Sequence, residues 1–215
     1  MTAILAVWND FASNQDDLYE RWYLTDHLPD RLGLEGFWSG RRYEAIKADR
    51  RFFTYYEVAG IEVLRSARYR DRLANPTPLT TEIMKQWRGM VRTISSIEFS
   101  AGKAFGSAVL CRRLCAADNA MLGDVLVLED LLFRSSICRV QLWRSDRAAE
   151  TKSVEAAIRP EEDETVGAVL IAELTRECDL VPAEALIRKS AVGQYLEQVP
   201  CGSYRLICGM QHASQ

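Results

Sequence analysis

Ala3-Ile-Leu-Ala-Val-Trp8 is apolar at every position, and a similar apolar run returns from Val109 onward. A strand with one wet face alternates apolar and polar residues, so an unbroken run belongs to a strand covered on both faces. Working outward, Ser13 and Asp16 mark a helix start, with Leu18, Tyr19, Trp22 and Tyr23 at helical spacing up to about Pro29 and a stop at Gly33 to Gly36. Phe37 to Ile46 and Arg51 to Val58 are strands flanking the polar Lys47-Ala-Asp-Arg50, short enough for a hairpin. Residues 60–74 are expected to be a helix that must end near Asn75, because Pro76 and Pro78 interrupt it. Thr77 as N-cap and Pro78 at the first helical position then restart one, before a strand over Met90 to Phe99. Residues 1–102 are therefore expected to run β-α-β-β-α-β.

Residues 103–215 repeat that order. Strand Gly106 to Leu114 precedes a helix from Asp118, its expected N-cap, to about Arg134; strands Ile137 to Trp143 and Val166 to Leu174, a helix from Pro182 to about Tyr195 and a strand Ser203 to Met210 follow. Where the first half has a hairpin, the second has 145–165, a charged and mobile insertion containing Glu161-Glu-Asp-Glu164. This order is the ferredoxin-like signature: a four-stranded antiparallel sheet with its helices on one face. The apolar runs require the other face to be buried too, and packing the two bare faces together achieves that. The expected fold is α+β, two tandem ferredoxin-like repeats whose sheets pack face to face as an intrachain dimeric α/β barrel.

Composition narrows the function classes. Hydrophobic residues make up 48% and charged residues 27%, as in an ordinary globular chain, and a net charge of -3 with dispersed basic residues argues against nucleic acid as a partner. The N-terminus lacks a basic region and turns polar after Trp8, and no apolar run is long enough to span a bilayer, so a cytoplasmic protein with no membrane partner is expected. The six cysteines all follow residue 110 without a CxxC pair, which suits buried free thiols.

The stretch Trp22-Tyr-Leu-Thr-Asp-His27-Leu-Pro-Asp-Arg31, followed by Gly36-Phe37 and Arg41-Arg-Tyr43, resembles the dimeric α/β-barrel superfamily, in particular its EthD-like branch. That branch carries a Trp and a His at this spacing on the first helix, then a Gly-aromatic turn and an Arg-rich second strand. Leu73-Ala-Asn-Pro-Thr-Pro-Leu-Thr80 and Arg92 extend the similarity, which covers the first repeat; the second keeps only the order of elements, without a histidine in its first helix. The resemblance implies the barrel architecture. Its members include cofactor-free monooxygenases, lactone isomerases, polyketide cyclases and haem enzymes, so it leaves the chemistry open.

His27 and His212 are the only histidines, and His212 lies near the chain's end, which leaves His27 as the candidate for proton transfer near neutrality. Tyr23, four residues earlier, shares its helix face, whereas Asp26 points elsewhere. Two readings stand side by side: His27 reaches into a cavity as base or donor, or it caps the end of its helix. Arg41 and Tyr43 share one strand face and Arg42 and Glu44 the other, and one pair must point inward. An inward Arg beside a Tyr would hold a carboxylate or stabilise an enolate, although strand arginines are more often solvated or paired. The candidate catalytic set is thus His27 as base with Tyr43 and Arg41 as anion stabilisers; Trp22, Tyr23, Tyr55, Trp87 and Arg92 are the candidate substrate contacts, with Tyr56 as further aromatic wall.

GxGxxG, P-loop, GxSxG and HExxH patterns are absent, as is any metal-ligand spacing, so no cofactor and no metal are expected. Three functions remain. The first is a cofactor-independent small-molecule enzyme of isomerase, cyclase, decarboxylase or monooxygenase type, acting on an aromatic or carbonyl-bearing metabolite. The others are a non-catalytic binder of a hydrophobic metabolite and, as the lesser alternative, a haem protein with His27 as axial ligand. The partner is a small molecule, and the chain is either a monomeric pseudo-dimer or a homodimer.

Overall fold

The computed structural model describes residues 2–12, 14–116, 119–146, 148, 154–197, 199 and 201–212. Strands β1 (Ala3–Phe11), β2 (Phe37–Lys47), β3 (Phe52–Val58), β4 (Trp87–Ala101), β5 (Ala108–Leu114), β6 (Ile137–Ser145), β7 (Ala168–Leu174) and β8 (Cys201–Gln211) close into one antiparallel barrel in the order β1-β3-β2-β8-β5-β7-β6-β4. β4 pairs with both β1 and β6, and β8 with both β5 and β2, so each long strand joins the sheet of its own half to that of the other.

Strand β1 shows why the apolar run is unbroken. Ile4, Ala6 and Trp8 point into the barrel, while Ala3, Leu5 and Val7 point outward under helices. The barrel interior is filled rather than hollow: Phe53 stacks on Trp8 at 4.8 Å and meets Tyr43 at 5.5 Å and Tyr204 at 5.5 Å. Two further apolar cores lie outside, one between the strands and helices of each half.

The first half carries α1 (Asp16–Trp22), a wider turn over Tyr23–His27, α2 (Leu28–Leu32), α3 (Ile61–Arg65), α4 (Ala67–Ala74) and α5 (Pro78–Met84). The first helix does not end near Pro29 but runs on to Leu32. The helix expected over 60–74 breaks at Ser66, which turns extended (ψ 151°) and accepts a hydrogen bond from the Tyr69 amide, capping α4. Thr77 caps α5 in the same way, as its position before Pro78 suggests. Gly36, at φ +88°, makes the turn into β2 that a side chain would resist.

The second half is more irregular. Its first helix, α6 (Asn119–Asp124), gives way to a 3-10 stretch over Val125–Leu131 and a left-handed Phe133, instead of running to Arg134. The expected caps Ser13 and Asp118 lie outside the described residues. Within the 145–165 insertion, α7 (Val154–Ile158) packs against α4 and α5 of the first half, and Glu164 bridges Val91 of β4; the described part is docked where a mobile excursion was expected. The last helix, α8 (Leu180–Lys189), is followed by a 3-10 stretch over Ala191–Leu196. All six cysteines are free, but Cys115 and Cys178 are exposed rather than buried, Cys115 just past the end of β5 and Cys178 in a 3-10 turn over Glu177–Asp179. No described helix is long and apolar enough to cross a membrane.

Phe53→Ala would empty the centre of the barrel core and is expected to cost about 3–5 kcal/mol, seen as a lower denaturant midpoint without a change in slope.

Candidate functional site

Pro29 shapes the local backbone that presents His27. In a regular helix its missing N–H would leave the Thr25 carbonyl unpaired, and its ring would press on that carbonyl. The chain widens instead: Tyr23–His27 form a π turn in which the Leu28 amide donates to the Tyr23 carbonyl five residues back. His27 therefore lies within a continuous helical path, not at a helix end, and it caps nothing.

Its imidazole is only 8% exposed. It packs against Trp22 with ring centres 4.4 Å apart and meets Tyr23 edge-on at 5.1 Å, as their four-residue spacing requires. Tyr56 and Trp87 complete the surround at 6.4 and 6.5 Å. Among the described residues, no group hydrogen-bonds either ring nitrogen. Asp26 instead accepts from the Thr77 and Thr80 hydroxyls, and Trp22 donates its indole N–H to Thr80 at 3.0 Å. Burial, followed by the positive charges of Arg31 and Arg42, holds His27 well below its usual pKa. At neutral pH it is an uncharged imidazole with a free acceptor nitrogen.

His27 lines a space of about 40 Å³ between the helices and the outer face of the barrel, together with Arg31, Tyr56, Trp87, Arg92, Glu155 and Arg159 among others. The Tyr56 hydroxyl and the Trp87 indole N–H are buried there without a hydrogen-bond partner among the described residues. Burial raises the Tyr56 hydroxyl well above its usual pKa, so it stays a neutral donor. Arg31 donates to Glu155 at 2.6 Å and to Asp30 at 2.7 Å, and Arg72 holds the other oxygen of Asp30 at 2.7 Å. Gly40 contributes by having no side chain, since a Cβ there would lie 2.9 Å from the Tyr56 ring and 3.0 Å from Leu28.

The sequence-derived residues divide across the sheet. Trp22, Tyr23, Trp87 and Arg92 lie on the helix side with His27, whereas Arg41, Tyr43 and Tyr55 point into the barrel. The three cannot act on a group bound beside His27, because the wall of the barrel stands between. Arg41 instead belongs to a buried network at one mouth. There the Tyr55 hydroxyl donates to Glu173 at 2.8 Å and accepts from Arg41 at 2.9 Å and from Arg139 at 2.8 Å, and Arg139 also donates to Glu57. Phe105 lies over the Arg41 guanidinium, 3.4 Å from ring centre to Cζ. Tyr43 stacks on Tyr55 within this interior. The arginine on the His27 side is Arg42, fully buried over the Tyr23 ring and paired with Glu20 at 2.5 Å.

Arg31, Tyr56 and Glu155 are the functional candidates that sequence reasoning left out of its set. Arg31 carried a signal, four residues after His27 within the quoted helix motif, and Tyr56 was counted only as wall. Glu155 carried none, as one acid in a charged segment more than a hundred residues away. The corresponding space of the second half, between α8 and the sheet, is about 10 Å³, holds no histidine and contains the Arg112–Glu184 pair.

No protein-family model matches the chain, and no curated protein does. Solved structures do match. An anthrone oxidase-like protein superposes with a TM-score of 0.61 over 99% of this chain and 94% of its own, at 8% identity. A candidate monooxygenase from Lactobacillus acidophilus NCFM gives 0.57 over 99% and 97%, at 8% identity. Chlorite dismutase from Candidatus Nitrospira defluvii gives 0.54 over 94% and 90%, also at 8% identity. The chain shares the α+β barrel fold of these structures. At such identity the likeness is one of fold and carries no residue roles.

A haem does not fit beside His27. The space of about 40 Å³ is far below the ~300–1,000 Å³ of sites for cofactor-sized ligands, and Trp22 covers the imidazole. Among the described residues no three His, Cys, Asp or Glu side chains converge as metal ligands would.

The depressed pKa of His27 has a stability signature. Below the ordinary value of 6.5 the unfolded chain takes up a proton that the native state refuses, so stability is full above that pH and falls as pH drops through it. Between pH 6.5 and 5.5 the native protein should lose about 1 kcal/mol more than His27→Gln, measured by denaturant unfolding of both at each pH.

Proposed function

We propose that this chain is a cofactor-independent small-molecule enzyme in which the neutral imidazole of His27 moves a proton on a carbonyl-bearing or aromatic substrate. The observation that carries this is a buried, uncharged histidine, with neither nitrogen bonded to the described residues, facing a cavity whose other free polar groups are donors. A space of about 40 Å³ admits the reacting group, a carbonyl and its α-carbon, and the body of the substrate must displace the Glu155 side to follow.

In the simplest step, His27 takes the proton from the carbon next to the carbonyl. The C–H electron pair moves into a C=C bond, the carbonyl oxygen becomes an enolate, and the Tyr56 hydroxyl donates to it. Return of the proton at another atom completes an isomerisation. If dioxygen is the co-reactant, the carbanion's electron pair forms the C–O bond, and loss of water from the resulting hydroperoxide leaves a new carbonyl. The anthrone oxidase-like and monooxygenase-like character of structural neighbours supports including this second course.

Further parts of this reading concern the chain as a whole. We infer two ferredoxin-like repeats, 1–102 and 103–215, with the first bearing the site in an EthD-like manner and the second degenerate. The strand order supports it, since β4-β1-β3-β2 is matched by β8-β5-β7-β6 around the barrel. A cytoplasmic monomer or homodimer is the setting we propose.

Anthrone and enolisable aryl ketones are the probes, followed by NMR for proton exchange in D2O and by absorbance for oxidation. The wild type should promote exchange or oxidation, His27→Ala should lower kcat by about 10²–10⁴-fold, and Tyr56→Phe should lower it less. Equal turnover by His27→Ala on every accepted substrate would remove the base from this role.

A further inference from the structure

The charges around the His27 space are lopsided. Arg31, Arg92 and Arg159 line it, against a single carboxylate, Glu155. Arg159 is held by Asp163 at 2.5 Å. Arg92 lines the same wall, and among the described residues no carboxylate pairs with it. The one acid comes from α7, in the segment between β6 and β7, and it lies on Arg31 with only 6% of its surface exposed.

His27, Arg31 and Glu155 also border a second space of about 20 Å³, framed by Asp26, Asp30, Arg72, Asn75, Thr77 and Thr80, where Asp30 holds the other guanidinium nitrogen of Arg31 at 2.7 Å. The Arg31–Glu155 pair is thus the partition between the inner cavity and this outer crevice. With Asp30 fixed on one guanidinium nitrogen by Arg72 as well, an anion that reaches Arg31 must take over the position that the Glu155 carboxylate holds on the other.

We propose that the ligand of this cavity is a small organic anion, of aryl carboxylate or enolate type, whose charged group binds Arg31 and is steadied by Arg92, and that Glu155 is a built-in competitor for the same guanidinium. This rests on the cavity being the substrate site, but not on His27 being a base. Binding would exchange one carboxylate for another on Arg31 while Asp30 stays in place, so the buried guanidinium keeps both of its carboxylate partners. Specificity follows from the same exchange, because a neutral isostere offers Arg31 nothing in return for Glu155.

Benzoate, acetate and benzamide are the probes, titrated into the full chain with the fluorescence of the neighbouring Trp22 and Trp87 as signal. Benzoate should bind at least tenfold more tightly than benzamide. Glu155→Gln should tighten both anions about tenfold or more and leave benzamide unchanged, while Arg92→Gln should weaken benzoate with an unaltered thermal midpoint. If benzamide matches benzoate, or neither anion gains from Glu155→Gln, the assignment is overturned. Because Arg31→Gln could unfold the chain, Arg92→Gln, at a partly exposed position, provides the folded control. Anion binding without turnover of any probe would sink the enzyme reading and leave this inference standing; turnover confined to neutral ketones would do the reverse.

Discussion

The architecture depends on two long strands that serve both halves. β4 and β8 each hydrogen-bond to a strand of their own half and to one of the other, which removes every open sheet edge among the described strands. Once the sheet is closed it has an inside and an outside, and helices cover the outside. Each central strand then carries two apolar faces, one for the barrel core and one for a helix-covered core. The wall so formed separates two polar assemblies that are close along the chain. Arg41 joins the interior network with Tyr55 and Glu173, while Arg42, the next residue, packs among the aromatics on the His27 side.

This double burial also sets how far the sequence could be read. Element order and the covered strands were legible because the unbroken run at Ala3 to Trp8 has only one explanation in a folded chain. Alternation correctly put Arg41 with Tyr43 and Arg42 with Glu44. It could not say which pair faced the helices, because the usual cue, polar toward water and apolar toward the core, fails when both faces are buried. Arg41 and Arg42 are both nearly inaccessible. The break at Ser66 was hidden for a related reason: its neighbours have helical preference, and only the side chain's ability to cap an amide distinguishes a new helix from a continuing one.

The site itself was half legible. His27, Trp22, Tyr23, Trp87 and Arg92 do converge, because helical spacing and a tight Pro-Thr-Pro turn leave little freedom about where they go. Glu155 could not be foreseen. Its contact with Arg31 joins residues 124 apart, on a helix of the first half and an insertion of the second, and no local pattern encodes such a meeting. The two halves differ accordingly. The first keeps space and unbonded donors under its helices, whereas in the second leucine and isoleucine side chains fill the matching position around Arg112.

The wide turn before Pro29 has an evolutionary side. A π turn arises when one residue is inserted into an α-helix, and a regular helix turns about 100° per residue. Removing a residue from Tyr23–His27 would therefore swing Leu28, Arg31 and Leu32 around the axis together, turning Arg31 toward the half-exposed direction that Asp30 now takes and bringing Leu32 into its place. Insertions and deletions in this stretch should be purged far more strictly than substitutions at its exposed positions, Leu24 and Thr25. In homologues the length of the segment from Trp22 to Arg31, more than its composition, would then mark whether the pocket persists.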